Sequence, residues 1–352
     1  MKHLLKIITV FVILAAVSGP VSAQEIFEVE KGLYSTRELE INYTLEAQKQ
    51  LSIKSAVNLS GKLTIKTAEQ PTVNIIYTKQ ARTDSWSKAM DYIDLISVSL
   101  NTKTDKVFLE MRAPNPAPWK SEEESGIVEA ELIIPYGFKV IIEATYFDVF
   151  ANGPFKEVIV NSSLGRHDIS TVTDLLRINT ANRRVNISDI SGEISVATTN
   201  APLVANDIKN VKGQAVFRND GGDIKIAGFI GGINVKNSFG QIKIECFQPQ
   251  GQSNYIRGFS GPVILDIEKM NEGQLVVTNR YEDIDLTVPD DLSAFYSMVV
   301  DEEGEIEVVN VPFSVDLVRR NRLNLTTGEG DVEISGTVRG KGNIFIRGTE
   351  GE

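Results

Sequence analysis

With 352 residues, a formal net charge of −11, two histidines and one cysteine, the chain is long enough for a full core in one or two domains and acidic enough to argue against nucleic acid or anionic membrane as a partner. The lone Cys246 rules out an internal disulfide. With one histidine beyond the first few residues, the usual zinc ligand sets are excluded as well.

Lys2 and Lys6, the apolar run Ile7–Val17 and the small residues Val21, Ser22 and Ala23 form the pattern of a cleaved export signal over residues 1–23. The run is shorter than the about 20 residues a bilayer span needs, and no later segment reaches that length. No cysteine stands at the cleavage site to take a lipid. The expectation is a protein exported by its signal peptide to the periplasm, the cell surface or the medium, with no membrane span after cleavage.

Residues 24–138 read as an N-terminal β domain. "LSIKSAVNLSGKLTIKT" and "TVNIIYTK" alternate apolar and polar residues with the period of half-buried strands. A short helix is predicted near residues 84–94, where Trp86, Met90 and Ile93 recur at helical spacing and Asp84 is placed to cap the start. "APNPAPWKSEEESG", residues 113–126, reads as a long loop, because a central strand cannot hold that many prolines.

From residue 139 to the end the pattern changes. Apolar-x-apolar triplets punctuated by Gly or Asn return every nine residues: Val185 and Ile187 repeat as Ile194 and Val196, and Ile224 and Ile226 as Ile233 and Val235, then as Ile242 and Ile244. Leu275 and Val277 repeat as Ile284 and Leu286, and Leu323 and Leu325 as Val332 and Ile334. One such unit buries about two aliphatic side chains at about 1.5–3 kcal/mol each. Ordering its nine residues costs about 1–2 kcal/mol per residue, so no unit folds alone. Stacked units share one core, and the expected fold is all-β: a β-solenoid over residues 139–352 behind the smaller N-terminal domain. A β-sandwich has turns at similar spacing, but its strands are usually longer. On this reading Asn179, Asn182, Asn200, Asn206, Asn219 and Asn237 occupy corners of positive φ, "NDGG" at 219–222 is a hairpin-like exception, and residues 246–274 and 287–322 hold longer loops. Cys246, in alternation with Ile242 and Ile244, is expected to point inward.

The stretch "ELIIPYGFKVIIEATYFDVFANG" at 131–153 and the motifs "SGEISV", "GGDIKI", "GGINV", "FGQIKI" and "GEGDVEIS" resemble a family of exported bacterial proteins with β-strand repeats described as "putative adhesins". The resemblance covers most of the chain after the signal and contains no catalytic signature. It implies a β-helix-like body behind an N-terminal β domain.

Chemistry-bearing groups are sparse. His167 beside Asp168 and Ser163 suggests a nucleophile and base, but neighbours in sequence seldom have triad geometry, and a polar loop residue is the simpler reading. Asp223, Glu329 and Asp331 lack the alternating ligand loop of a calcium site. Asp290 and Asp291 read as a solvated turn after Pro289, and the basic runs at 182–184 and 319–322 as local balance to an acidic surface. Phe229, Phe239, Phe247, Tyr255 and Phe259 form an aromatic series, either plugging corners or facing outward as a strip for sugar rings beside Arg257 and Lys243. The ligand-binding candidates are Phe229, Phe239, Tyr255 and Arg257; no catalytic, metal or cofactor residue is assigned. The expected function is a non-catalytic envelope protein, an adhesin or scaffold, binding an extended partner such as a glycan or envelope protein on the repeat faces. The alternatives are a polysaccharide-active enzyme and a structural spacer.

Overall fold

In a computed structural model, the structure describes residues 25–349 apart from 104, 120, 122 and 302. The expected signal segment, residues 1–23, lies outside the described residues. The protein is all-β: one continuous sheet of 27 strands with a single helix, Trp86–Leu95.

The helix starts where expected, but its N-cap is Ser85, with no side-chain cap bond, while Asp84 pairs instead with Lys88 at 3.0 Å. It packs through Ala89, Tyr92 and Ile93. Its C-terminal end is closed from the neighbouring strand, where the Lys79 ammonium donates to the Ile93 and Ile96 carbonyls at 3.1 and 3.2 Å.

Antiparallel pairing is confined to two places. In the N-terminal block Thr72–Arg82 runs antiparallel to Leu33–Thr36, Leu39–Thr44 and Ser125–Pro135, and Ile26–Glu30 and Ser97–Lys103 add edge hairpins. Near the C-terminus Arg322–Thr327 pairs antiparallel with Ala294–Val300 and Ser314–Arg319. Between Lys139 and Val288 every pairing among the described residues is parallel, unlike the antiparallel leaves of a sandwich.

The register explains the nine-residue beat. Each strand pairs with the strand 18 or 21 residues further on: Ile187 lies beside Ala205, then Ile226, Ile244, Leu265 and Leu286. The intervening triplets form a second ladder, in which Val196 lies beside Phe217, then Val235, Ile256 and Val277. Consecutive triplets therefore belong to different ladders, and both ladders contribute to one buried cluster. The long strand Ile224–Phe239 takes part in both. The N-terminal strands supply the first layer, since Leu51 and Ile53 lie beside Val140 and Ile142, and Leu63 and Ile65 beside Val149 and Ala151.

Several local expectations are corrected. The "NDGG" turn is no hairpin: Gln214–Asp220 and Ile224–Phe239 pair in parallel, Ala215 beside Ile233. Residues 246–274 are not a long loop but carry the strands Ser253–Ser260 and Val263–Ile267, whose register continues through a turn of 21 residues. Residues 287–322 likewise carry Ala294–Val300, Ile306–Val309 and Ser314–Arg319. Leu323 and Leu325 lie in the antiparallel hairpin, outside the parallel stack.

Cys246 is exposed and does not point inward. Thr171, Asp189, Asp207, Gly228 and Cys246 occupy equivalent places on successive strands, all with φ between +49° and +67°. The left-handed residue breaks the alternation, so the next residue turns inward: Val172, Ile190, Ile208, Phe229 and Phe247 fill the corner. The asparagines divide into two kinds. Asn182 and Asn200 do adopt positive φ. Asn219 and Asn237 are buried instead, and their amides donate to turn carbonyls, Asn219 to Ala201 and Gly222 at 2.8 and 2.9 Å and Asn237 to Gly222 and Gly240 at 3.0 and 2.9 Å. Each thereby ties its own turn to the adjacent layer.

His167 is fully buried at the start of a strand, in a column between Val149 and Val185, rather than in a polar loop. Its Nε2 lies 3.1 Å from the Thr180 hydroxyl. Burial lowers its pKa to about 4, with the charges of Asp148 and Asp168 acting weakly in the opposite sense. No nucleophile-and-base pair is therefore presented to solvent at this position.

Two outcomes are expected. Phe229 packs against Phe217 and Phe247, with ring centroids 6.3 and 6.0 Å away, so Phe229→Ala will destabilise the fold by about 3–5 kcal/mol in chemical denaturation. His167 is neutral when folded and takes up a proton on unfolding below its ordinary pKa of 6.5. Its contribution is present above that value and is lost as pH falls toward about 4, a loss of about 3 kcal/mol; denaturation midpoints of wild type and His167→Leu across this window will converge as the pH drops.

Candidate functional site

The most extensive concavity lies on the second ladder toward its C-terminal end and encloses about 850 Å³. Its shape follows from register. On the outward face Arg218, Lys236, Arg257, Thr278 and Thr337 stand side by side on five adjacent strands. Long cationic side chains give way to short hydroxyls, so the surface sinks from Arg257 to Thr278 and Thr337. Val276 completes the floor, and Arg280, Tyr281, Asp301, Arg339 and Gly340 stand along the rim.

Aromatic rings continue along the adjoining corner. Phe239, Phe259 and Tyr281 are 56%, 37% and 44% exposed, which places all three rings in contact with solvent. Phe239 and Phe259 meet edge to face at 6.1 Å, and Phe259 and Tyr281 at 5.2 Å. The Arg280 guanidinium stands 5.2 Å from the centroids of both Phe259 and Tyr281, and Arg257 lies 5.6 Å over Tyr255. Beneath this corner Asn279 holds the turn, its amide donating to the carbonyls of Gly261, Glu282 and Asp283 at 3.0, 2.8 and 3.2 Å. In the adjacent layer Gly258 leaves room for it: a Cβ there would meet the Asn279 Oδ1 at 2.7 Å.

Among the described residues Arg218, Lys236, Arg257, Arg280 and Arg339 form no ion pair, whereas twelve pairs form elsewhere in this acidic protein. The one carboxylate lining the groove, Asp301, accepts the Gly340 amide at 2.6 Å. The arrangement can hold an anion and cover an apolar or sugar ring.

The four sequence-derived candidates separate. Arg257 lines the groove, Phe239 contacts its rim ring Phe259, and Tyr255 lies under Arg257. Phe229 is fully buried in the corner, out of reach of any ligand, because the left-handed Gly228 turns it inward. Lys236, Arg280, Tyr281 and Arg339 were missed. Their signal is a spacing of 18 or 21 residues, visible in Arg218, Lys236 and Arg257, which the nine-residue beat conceals. Asp290 and Asp291 lie in the turn after Pro289, and the basic run at 319–322 forms the tip of the C-terminal hairpin. Among the described residues no three His, Cys, Asp or Glu side chains gather to hold a metal ion, and no helix is long and apolar enough to cross a membrane.

No family model and no curated protein matches the chain. Among solved structures it is similar to a "putative cell adhesion protein" from Clostridium sporogenes, at 12% identity and a TM-score of 0.22 over 89% of this chain and 100% of the other. It is also similar to a "putative adhesin" from Parabacteroides merdae, at 11% and 0.31 over 88% and 95%. A "putative lipid binding protein" from Parabacteroides distasonis matches at 10% and 0.34 over 88% and 96%. Likeness at these scores fixes neither topology nor function.

Because the groove cations pair with no carboxylate, neutralising them removes no stabilising contact. Lys236→Gln, Arg257→Gln and Arg339→Gln, each measured by chemical denaturation, will leave stability within about 0.5 kcal/mol of wild type.

Proposed function

We propose that this protein is an exported, non-catalytic binding protein of the bacterial envelope, with residues 24–138 forming the base and residues 139–352 winding upward as a β-solenoid whose faces engage extended glycans. The parallel ladders with partners 18 or 21 residues apart favour the solenoid reading. The observation that carries the functional reading is the groove itself. It is open, built on several successive strands, and combines exposed rings with hydroxyls and unpaired cations. A stack of strands repeats its outward side chains at a fixed interval, which suits a partner that is itself a repeating chain.

The polysaccharide-active alternative needs convergent carboxylates for general acid and base work. The groove offers Asp301 alone, and that side chain already holds the Gly340 backbone. The reading is tested by calorimetric titration of the protein with panels of neutral and charged glycan oligomers, followed by chain-length analysis of each glycan. Binding of at least one chain with its length unchanged is expected. Shortened or newly unsaturated chains would assign the enzyme instead, and no binding to any glycan would overturn the reading.

A further inference from the structure

We propose that the groove formed by Lys236, Arg257, Arg280 and Arg339 selects carboxylated sugar chains, binding uronate residues through its cations and their rings through Phe259, Tyr281 and the threonine floor. The inference rests on the glycan-binding reading above and narrows its ligand class.

Three observations carry it. The first is the cost of the arrangement. Like charges on neighbouring strands repel, yet Arg218, Lys236 and Arg257 occupy three consecutive strands with no carboxylate among the described residues to offset them. Arg280 and Arg339 occupy the next outward position on two more. A protein whose net charge is −11 has acids to spare, so an anion from outside is the natural counterpart.

The second is geometry. Adjacent strands lie about 4.7–4.9 Å apart, so the cations recur at an interval close to the length of one sugar residue. Three of the four groove cations are arginines, whose planar fork matches a carboxylate with two parallel hydrogen bonds. Arg280 is held flat between the Phe259 and Tyr281 rings, which limits the freedom it loses on binding.

The third separates a charged sugar from other polyanions. Beside the cations lie exposed ring edges, the Thr278 and Thr337 hydroxyls and the apolar Val276. A uronate uses all of these, through its hydroxyls, its C–H faces and its acid group. Polyphosphate uses only the cations. A nucleic acid strand carries a charge every 3.4 Å or so and is repelled by the rest of this acidic surface.

The test titrates the full mature chain with oligogalacturonate, with the same oligomer after reduction of its carboxyls to alcohols, and with inorganic polyphosphate. Wild type, Arg257→Gln, Arg280→Gln and, as a control away from the groove, Lys225→Gln are compared at low and high salt. The expected result is binding of the uronate chain, at least tenfold weaker binding after carboxyl reduction, and a further loss of about tenfold for each groove variant but not for Lys225→Gln. Unchanged thermal midpoints will show that the variants are folded. Equal binding of the reduced chain would overturn the selectivity while leaving a glycan-binding protein. Polyphosphate binding as tight as the uronate chain, through the same residues, would reduce the groove to a general anion site and also overturn it. Failure to bind the uronate chain overturns the inference even if a neutral glycan binds, and failure with every glycan removes the underlying reading as well.

Discussion

Everything in this structure depends on in-register parallel stacking of strands that are too short to be stable alone. Each apolar pair finds its partners not in its sequence neighbour but one full turn away, as when Ile226 lies between Ala205 and Ile244. Backbone hydrogen bonds and side-chain burial are thus satisfied by the same neighbours. A layer cannot shift by one residue without turning its buried column toward water. That coupling lets the chain tolerate a fully buried histidine and a column of left-handed corner residues, since the layers on either side hold each in place.

The same constraint accounts for the groove. Fixed register makes outward positions repeat as strictly as inward ones, so a surface feature in this region is a column read across strands rather than a motif read along the chain. Arg218, Lys236 and Arg257 are far apart in sequence and adjacent in space. The aromatic corner obeys the same rule, because Phe239, Phe259 and Tyr281 come from three successive layers. Buried asparagine amides beneath it, bonded to turn carbonyls, give a polar but fixed foundation.

Much of the architecture was legible in the sequence. The all-β class, the short helix and the triplets of Ile, Val and Leu that fill the core follow from periodicity alone. The turn length did not, because two facing ladders write the same apolar pattern and halve the apparent repeat. Cys246 was misplaced because alternation cannot register a single left-handed residue, and that residue reverses the assignment of everything after it until the next corner. His167 deceived for another reason: its polar neighbours Arg166 and Asp168 suggest a loop, yet in a strand they take the opposite face while the imidazole enters an aliphatic column. The groove was half visible, in Phe239, Tyr255 and Arg257. Its remaining cations emerge only when residues are aligned at 18 or 21.

The most direct measurement is the distance between spin labels on a Cys246→Ser background. One pair sits at Lys225 and Lys243, partners in adjacent strands; the other sits at Asn234 and Lys243, nine residues apart and in different ladders. Strong short-range coupling in the first pair, about one strand spacing between backbones, and none in the second is the predicted result. The reverse pattern, or equal coupling in both, would mean that neighbouring triplets pair directly and would contradict the stacked register.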